Sequence, residues 1–261
     1  MDYLFEHYNK FNEDKRLKSR HGQVEYINTF RYVKKYIDEL CVDKSDFRII
    51  DIGAGTGAYC GPLSMDGYNV NAIELIQHNL GRLKQKYPLV DAHKGNAVKL
   101  SRFKDESFDL TLLFGPMYHL FSYEDKLKAL SEAKRVTKKN GIILVAYLTN
   151  DYGVVTYAFK EHHAIECLEN GRLSKDFTIN NSDSDIYDYV RLDLINKLDD
   201  ELELERKCIF SPDGPADYMR DTLREMSEAE FEAFVDYQYI NGERPELLGA
   251  GAHLVDVLIK P

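Results

Sequence analysis

The sequence predicts an α/β fold, a doubly wound and mostly parallel sheet of seven strands with helices on both faces. Three observations carry this reading. Short apolar runs alternate with helix-period stripes over residues 45–147. The fifth run, Gly141-Ile142-Ile143-Leu144-Val145-Ala146-Tyr147, is almost continuously apolar, as a parallel strand covered on both faces must be. A glycine-rich turn directly follows the first run.

The elements follow in order. Leu4, Phe5, Tyr8 and Phe11 give one short helical face. Val24, Ile27, Phe30, Val33, Ile37 and Leu40 give a second at spacings of three and four, with Arg20-His21-Gly22 separating the two. Phe47-Arg48-Ile49-Ile50-Asp51-Ile52 is the first strand, residues 68–74 the second, residues 89–93 a weak third and residues 107–114 a strong fourth. Leu127, Leu130, Ala133 and Val136 form a helical stripe that Lys138-Lys139-Asn140-Gly141 brings to an end. Residues 150–182 are polar and rich in turns. Ser182-Asp183-Ser184-Asp185 reads as the start of a helix reaching about Leu198, and residues 201–210 alternate as an antiparallel-type strand. Ser211-Pro212-Asp213-Gly214-Pro215 is a turn, Ser227-Glu228-Ala229-Glu230 a capping box, and residues 252–259 a last strand. With no repeat and no flexible linker, residues 1–261 read as a single domain. Its parts are a helical cap over 1–40, a cofactor-binding half over 45–147 and cover segments over 150–250.

Composition narrows the function. Apolar residues make up 44% of the 261, enough for a sizeable core. The 34 Lys and Arg against 44 Asp and Glu give a net charge of -10, which argues against broad binding to nucleic acid or anionic membrane. Met1-Asp2-Tyr3-Leu4-Phe5-Glu6 has no basic segment leading into an apolar run, and no apolar run is long enough to span a bilayer. The expectation is a cytoplasmic protein. Cys41, Cys60, Cys167 and Cys208 form no CxxC or Cys-His spacing, so no metal site is expected and buried thiols are the simpler reading.

The chemistry is concentrated in Asp51-Ile52-Gly53-Ala54-Gly55-Thr56-Gly57. Glycines after a buried strand let the backbone turn sharply and approach a ligand closely. Glu74 ends the next strand, where a carboxylate accepts hydrogen bonds from both hydroxyls of a ribose. Gly53, Gly55 and Ala58 also satisfy a dinucleotide-binding pattern, so a nicotinamide cofactor competes for the same turn.

Taken together, these residues resemble the class I S-adenosylmethionine-dependent methyltransferases. Asp51 to the third glycine looks like that superfamily's first motif. Gly95-Asn96-Ala97, Phe108-Asp109-Leu110 and Lys138-Lys139-Asn140-Gly141-Ile142 stand where the family has corresponding features, with Asn96 replacing a commoner Asp. The resemblance covers about residues 45–147. It implies a Rossmann-like sheet of six parallel strands and one antiparallel strand, the last. It also implies S-adenosylmethionine as cofactor. Asp51, Gly53, Ala54, Gly55 and Gly57 would hold its methionine part, Glu74 and Leu75 the ribose, Asn96 and Ala97 the adenine, and Phe114 and Gly115 the sulfonium side. Tyr8 and Arg20 in the cap would close over it.

Tyr118 and His119, just after the fourth strand, are the candidate catalytic residues, with His119 as a base or as an orienting group. His253 reads as structural. The Phe114-Gly115-Pro116-Met117 run lacks the Asn/Asp-Pro-Pro-Tyr expected of adenine or glutamine amino methylation, and no Pro-Cys pair supports cytosine chemistry. The expected acceptor is therefore a small molecule and not nucleic acid, on a monomer or homodimer. Tyr152, Tyr157, Phe159, Tyr187, Tyr189, Tyr218, Tyr237 and Tyr239 in the cover either line the acceptor pocket or fill a core. Two other functions fit the same residues: an NAD(P)-dependent oxidoreductase, and a catalytically silent module that binds the nucleoside.

Overall fold

The computed structural model describes residues 16–182 and 185–261. The first helical face of the sequence, with Tyr8, lies outside them. β1 (Arg48–Ile52), β2 (Asn69–Glu74), β3 (Asp91–Lys94), β4 (Phe108–Leu113) and β5 (Thr137–Thr149) pair in parallel in the order β3-β2-β1-β4-β5. The two-residue β6 (Tyr189–Val190) is an addition to the predicted strands. It pairs in parallel with Leu148 and Thr149, beyond the point where β4 ends with Leu113 opposite Val145. β7 (Glu205–Phe210) and β8 (His253–Ile259) complete the sheet; β8 lies antiparallel between β5 and β7. β7 therefore runs with β1 to β5, and β8 alone opposes the other strands of the main path, as expected.

The helices are α1 (Arg20–Leu40), α2 (Cys60–Met65), α3 (Gln77–Lys86), α4 (Tyr123–Val136), α5 (Asn150–Gly153), α6 (Ala164–Glu169), α7 (Leu192–Glu201), α8 (Arg220–Glu225) and α9 (Glu228–Asn241). Strand periodicity divides the core between two faces. Ile49, Leu110, Leu112, Ile142 and Leu144 pack with Tyr32, Val33, Tyr36, Leu63 and Leu83 from α1, α2 and α3. Their sequence neighbours Ile50, Leu113, Ile143 and Val145 pack on the other face with Leu130, Ala133, Ile195 and Leu198 from α4 and α7. Each large aliphatic side chain buried this way contributes about 1.5–3 kcal/mol.

Three boundaries differ from the sequence reading. Arg20-His21-Gly22 is not a separator, because the Ser19 hydroxyl accepts the Gly22 N–H and caps α1 in front of it. The helix expected from Ser182 begins only at Leu192. Residues 183 and 184 lie outside the described residues; on either side of them the Asp185 carboxylate accepts the Ser182 N–H at 2.8 Å and pairs with Arg172 at 2.6 Å, and the free edge of β5 takes residues 189 and 190 as a strand. The strand expected from Glu201 starts at Glu205, because α7 continues to Glu201. The capping box is present, with Ser227 and Glu230 each accepting the other's backbone N–H.

Candidate active site

The carboxyl ends of β1, β2 and β4 open onto a cavity of about 780 Å³. The glycine turn forms one wall. Gly53, Gly55 and Gly57 adopt φ of +80°, +56° and +92°, a region that favours glycine. A Cβ on Gly53 would lie 2.5 Å from the Pro116 ring, whereas one on Gly55 would project into open space. The turn is moored to β2: Gly53 and Ala54 N–H both donate to the Ile73 carbonyl, at 2.8 and 3.1 Å. Glu74 braces it further, accepting from the Gly55 and Ile76 N–H groups at 2.7 Å each. The Leu75 N–H is a third backbone donor, and a carboxylate has about four acceptor sites, so Glu74 can still receive a ligand hydroxyl. Burial raises the Glu74 carboxyl, and those backbone donors oppose the shift.

Asp51 lies beneath the turn at 2% exposure. Burial pushes its carboxyl up to about 7, against the lowering effect of the Cys60 N–H. A cationic ligand group beside it would restore the anion.

The cavity brings together Asp51, Gly53, Ala54, Gly55, Glu74, Leu75, Asn96, Ala97, Phe114 and Gly115, together with Tyr118 and His119. It does not take in Gly57 or Arg20. A Cβ on Gly57 would meet the Tyr87 ring at 2.9 Å, so this glycine packs the back of the turn against α3. Arg20 points the other way, pairing with Glu228 at 2.8 Å and lying over the Phe231 ring at 4.6 Å. At the start of a helix, one position decides the direction, and Arg16 and His21 face the cavity in its place. His119 Nδ1 lies 2.7 Å from the Ile186 carbonyl, which only accepts, so Nδ1 carries the proton. With the Asp188 N–H donating to the Tyr118 carbonyl at 2.7 Å, this ties residues 185–190 across the cavity as a strap. The buried Lys126 side chain secures the strap by pairing with Asp188.

The opposite wall holds polar groups that the sequence reading did not assign to the site, His253 among them, which it took as structural. Arg16 forms a two-pronged pair with Glu25 at 2.6 and 3.1 Å. His253 Nδ1 lies 2.7 Å from Asp213 and 3.8 Å from Glu25. Asp217 accepts the Tyr152 hydroxyl at 2.6 Å and faces His21 at 3.7 Å. Burial lowers the His21 ring. One sequence signal pointed here: Glu25, Asn28 and Thr29 sit inside the apolar stripe of α1, where polar side chains need partners. Of the cover aromatics, Tyr152, Tyr187 and Tyr189 line the cavity. Tyr157, Phe159 and Tyr237 are exposed, and Tyr239 packs on Tyr32.

Residues 50–145 match the family model described as a methyltransferase domain. Over those residues the chain is similar to a methyltransferase domain. The chain is 37% identical over 100 residues to a demethylmenaquinone methyltransferase of Renibacterium salmoninarum, covering 38% of this chain and 40% of that protein. The chain spans about half the length of the curated relatives it matches. A Thermotoga maritima structure, described as a SAM-dependent methyltransferase and possible histamine N-methyltransferase, aligns over 100% of both chains with a TM-score of 0.58 and 20% identity. Geranyl diphosphate C-methyltransferase of Streptomyces coelicolor, solved with S-adenosyl-L-homocysteine, aligns over 88% of this chain and 77% of its own with a TM-score of 0.54 and 13% identity. At those identities the likeness to the two structures is one of fold.

Proposed function

We propose that the protein is an S-adenosylmethionine-dependent methyltransferase acting on a small molecule. The observation that carries this reading is the single cavity with two unlike walls: the glycine turn and Glu74 on one side, the tyrosines and the His253 cluster on the other. Asp51, Gly53, Ala54 and Gly55 hold the methionyl part, with Asp51 meeting its ammonium. Glu74 and Leu75 take the ribose, Asn96 and Ala97 the adenine, and Phe114 and Gly115 the sulfonium side. Gly57 supports the turn from behind. The open space beyond Gly55 fits a ligand lying against bare backbone.

The cofactor supplies a methyl group already activated on a positive sulfur, ready for in-line displacement. The protein's task is alignment and exclusion of water. Tyr118, Tyr152, Tyr187 and Tyr189 present aromatic surface to the acceptor, and the strap over residues 185–190 covers it. The named acceptors of the two methyltransferases and the possible acceptor of the third are a demethylmenaquinone, histamine and geranyl diphosphate, so the relatives share the reaction and not the acceptor. The antiparallel β8 between β5 and β7 weighs against a dinucleotide oxidoreductase, whose doubly wound sheet continues in parallel.

We place the protein in the cytoplasm as a single domain, as a monomer or homodimer. No described helix is long and apolar enough to cross a membrane, and the four cysteines are free. Calorimetry with S-adenosylhomocysteine and with NAD(H) tests the reading. S-adenosylhomocysteine should bind and NAD(H) should not; tight binding of NAD(H) alone overturns it. Gly55→Asp should abolish binding, because it sets a second carboxylate beside Glu74 on a backbone of positive φ.

A further inference from the structure

The polar wall contains a histidine whose surroundings are those of a proton acceptor. His253 opens β8, and β8 runs against its neighbours, so its first residue reaches the edge where the parallel strands end. His253 is 9% exposed and lines the cavity. Nδ1 is held by Asp213 at 2.7 Å, and Asp213 is itself fixed by the Ser211 hydroxyl and the His253 N–H, both at 3.3 Å. Nε2 has no partner among the described residues. The Tyr118 ring, from the turn after β4, lies 5.8 Å away. A carboxylate on one imidazole nitrogen fixes the tautomer and stabilises the imidazolium once the other nitrogen has taken a proton.

We propose that His253, oriented by Asp213, is the general base for the methyl acceptor, and that the acceptor atom therefore carries an exchangeable O–H or N–H proton. This rests on the methyltransferase reading above. In the step, the acceptor proton passes to Nε2 of His253 as the acceptor lone pair bonds to the methyl carbon. The carbon–sulfur bond breaks and its electron pair stays on sulfur. The products are the methylated acceptor, the neutral thioether and a protonated His253, whose proton then passes to water. Glu25 on α1 stands 3.8 Å from Nδ1 and adds negative charge behind the ring, while Arg16 beside Glu25 moderates it. Burial works against the charged ring, but Glu25 and Asp213 outweigh it and hold His253 above 6.5. Methyl transfer should therefore rise with pH through a midpoint above that value. The arrangement excludes acceptors with nothing to lose, such as thioethers.

The test uses the full chain with S-adenosylmethionine and three probes: catechol, phenethylamine and dimethyl sulfide. Wild type should methylate catechol or phenethylamine, and the productive probe tells oxygen from nitrogen. His253→Gln should lower kcat by about 100-fold or more, remove the rising limb of the pH profile and leave S-adenosylhomocysteine affinity within about twofold. Asp213→Asn should shift the midpoint down. Methylation of dimethyl sulfide alone, or a His253→Gln enzyme with wild-type kcat and pH profile, overturns the proposal. Should His253→Gln not fold, NMR titration of His253 in the wild-type S-adenosylhomocysteine complex decides: a value at or below 6.5, or one unmoved by Asp213→Asn, removes the dyad. Normal S-adenosylhomocysteine binding with no transfer to any probe overturns the enzyme reading and this one with it. Transfer that ignores His253 overturns only this one.

Discussion

Asp51 is a carboxyl almost wholly withdrawn from water, and that has a measurable signature. Its folded value near 7 lies far above the ordinary 3.8. The folded state thus binds the proton more tightly than the unfolded chain, and Asp51 lowers stability increasingly as pH rises from about 4 to 7. Asp51→Asn should stabilise the ligand-free protein by ~1–3 kcal/mol above pH 7 in thermal melts, while weakening S-adenosylhomocysteine binding. Wild-type affinity should fall as pH drops below 7, by up to about tenfold per unit, and calorimetry should find that slope missing in the variant. That Asp51, Gly53, Gly55 and Glu74 would lie together was legible because their spacing is local to one strand-turn-strand unit. Glu25, Asp213 and His253 were not, since only the folded sheet brings α1, the loop after β7 and the start of β8 together. Arg20, read in the separator between two cap helices and expected over the cofactor, instead opens α1 and pairs with Glu228.

Among the elements, the strap and the last helices carry separable roles. Lys126 and Asp188 form a buried pair at 1% and 6% exposure. Lys126→Met should strand the Asp188 charge and cost about 3–5 kcal/mol in denaturant unfolding, with faster amide exchange over residues 185–190. Adding Asp188→Asn should recover most of that loss, which a double-mutant cycle measures. Ser227→Ala removes the cap of α9, remote from the cavity, and should cost about 1 kcal/mol without changing cofactor affinity. β5 was the most readable strand in sequence because burial on both faces leaves an unbroken apolar run over its residues 141–147. β6 was not readable, because two residues carry no period, and they become a strand only because β5 outlasts β4.

For the molecule as a whole, ligand binding to the folded state alone should appear as added stability. At 100 times its dissociation constant, S-adenosylhomocysteine should contribute about 2.7 kcal/mol to unfolding, and a thermal melt unmoved by it would count against the cavity assignment. The acidic net charge has no such direct reading in the fold; it bears on which large partners are repelled.

The reversed direction of β8 has a consequence for how such a protein diversifies. Parallel strands deliver only the loops that follow them to the ligand edge, and those after β1, β2 and β3 are occupied by the glycine turn, Glu74 and Asn96. A strand running backwards delivers the loop that precedes it. Exchange of residues 211–252 should therefore leave in place the glycine turn proposed to hold the methionyl part of the cofactor. Chimeras that keep residues 45–145 and graft a relative's segment ahead of its last strand are a direct route to moving acceptor preference between scaffolds.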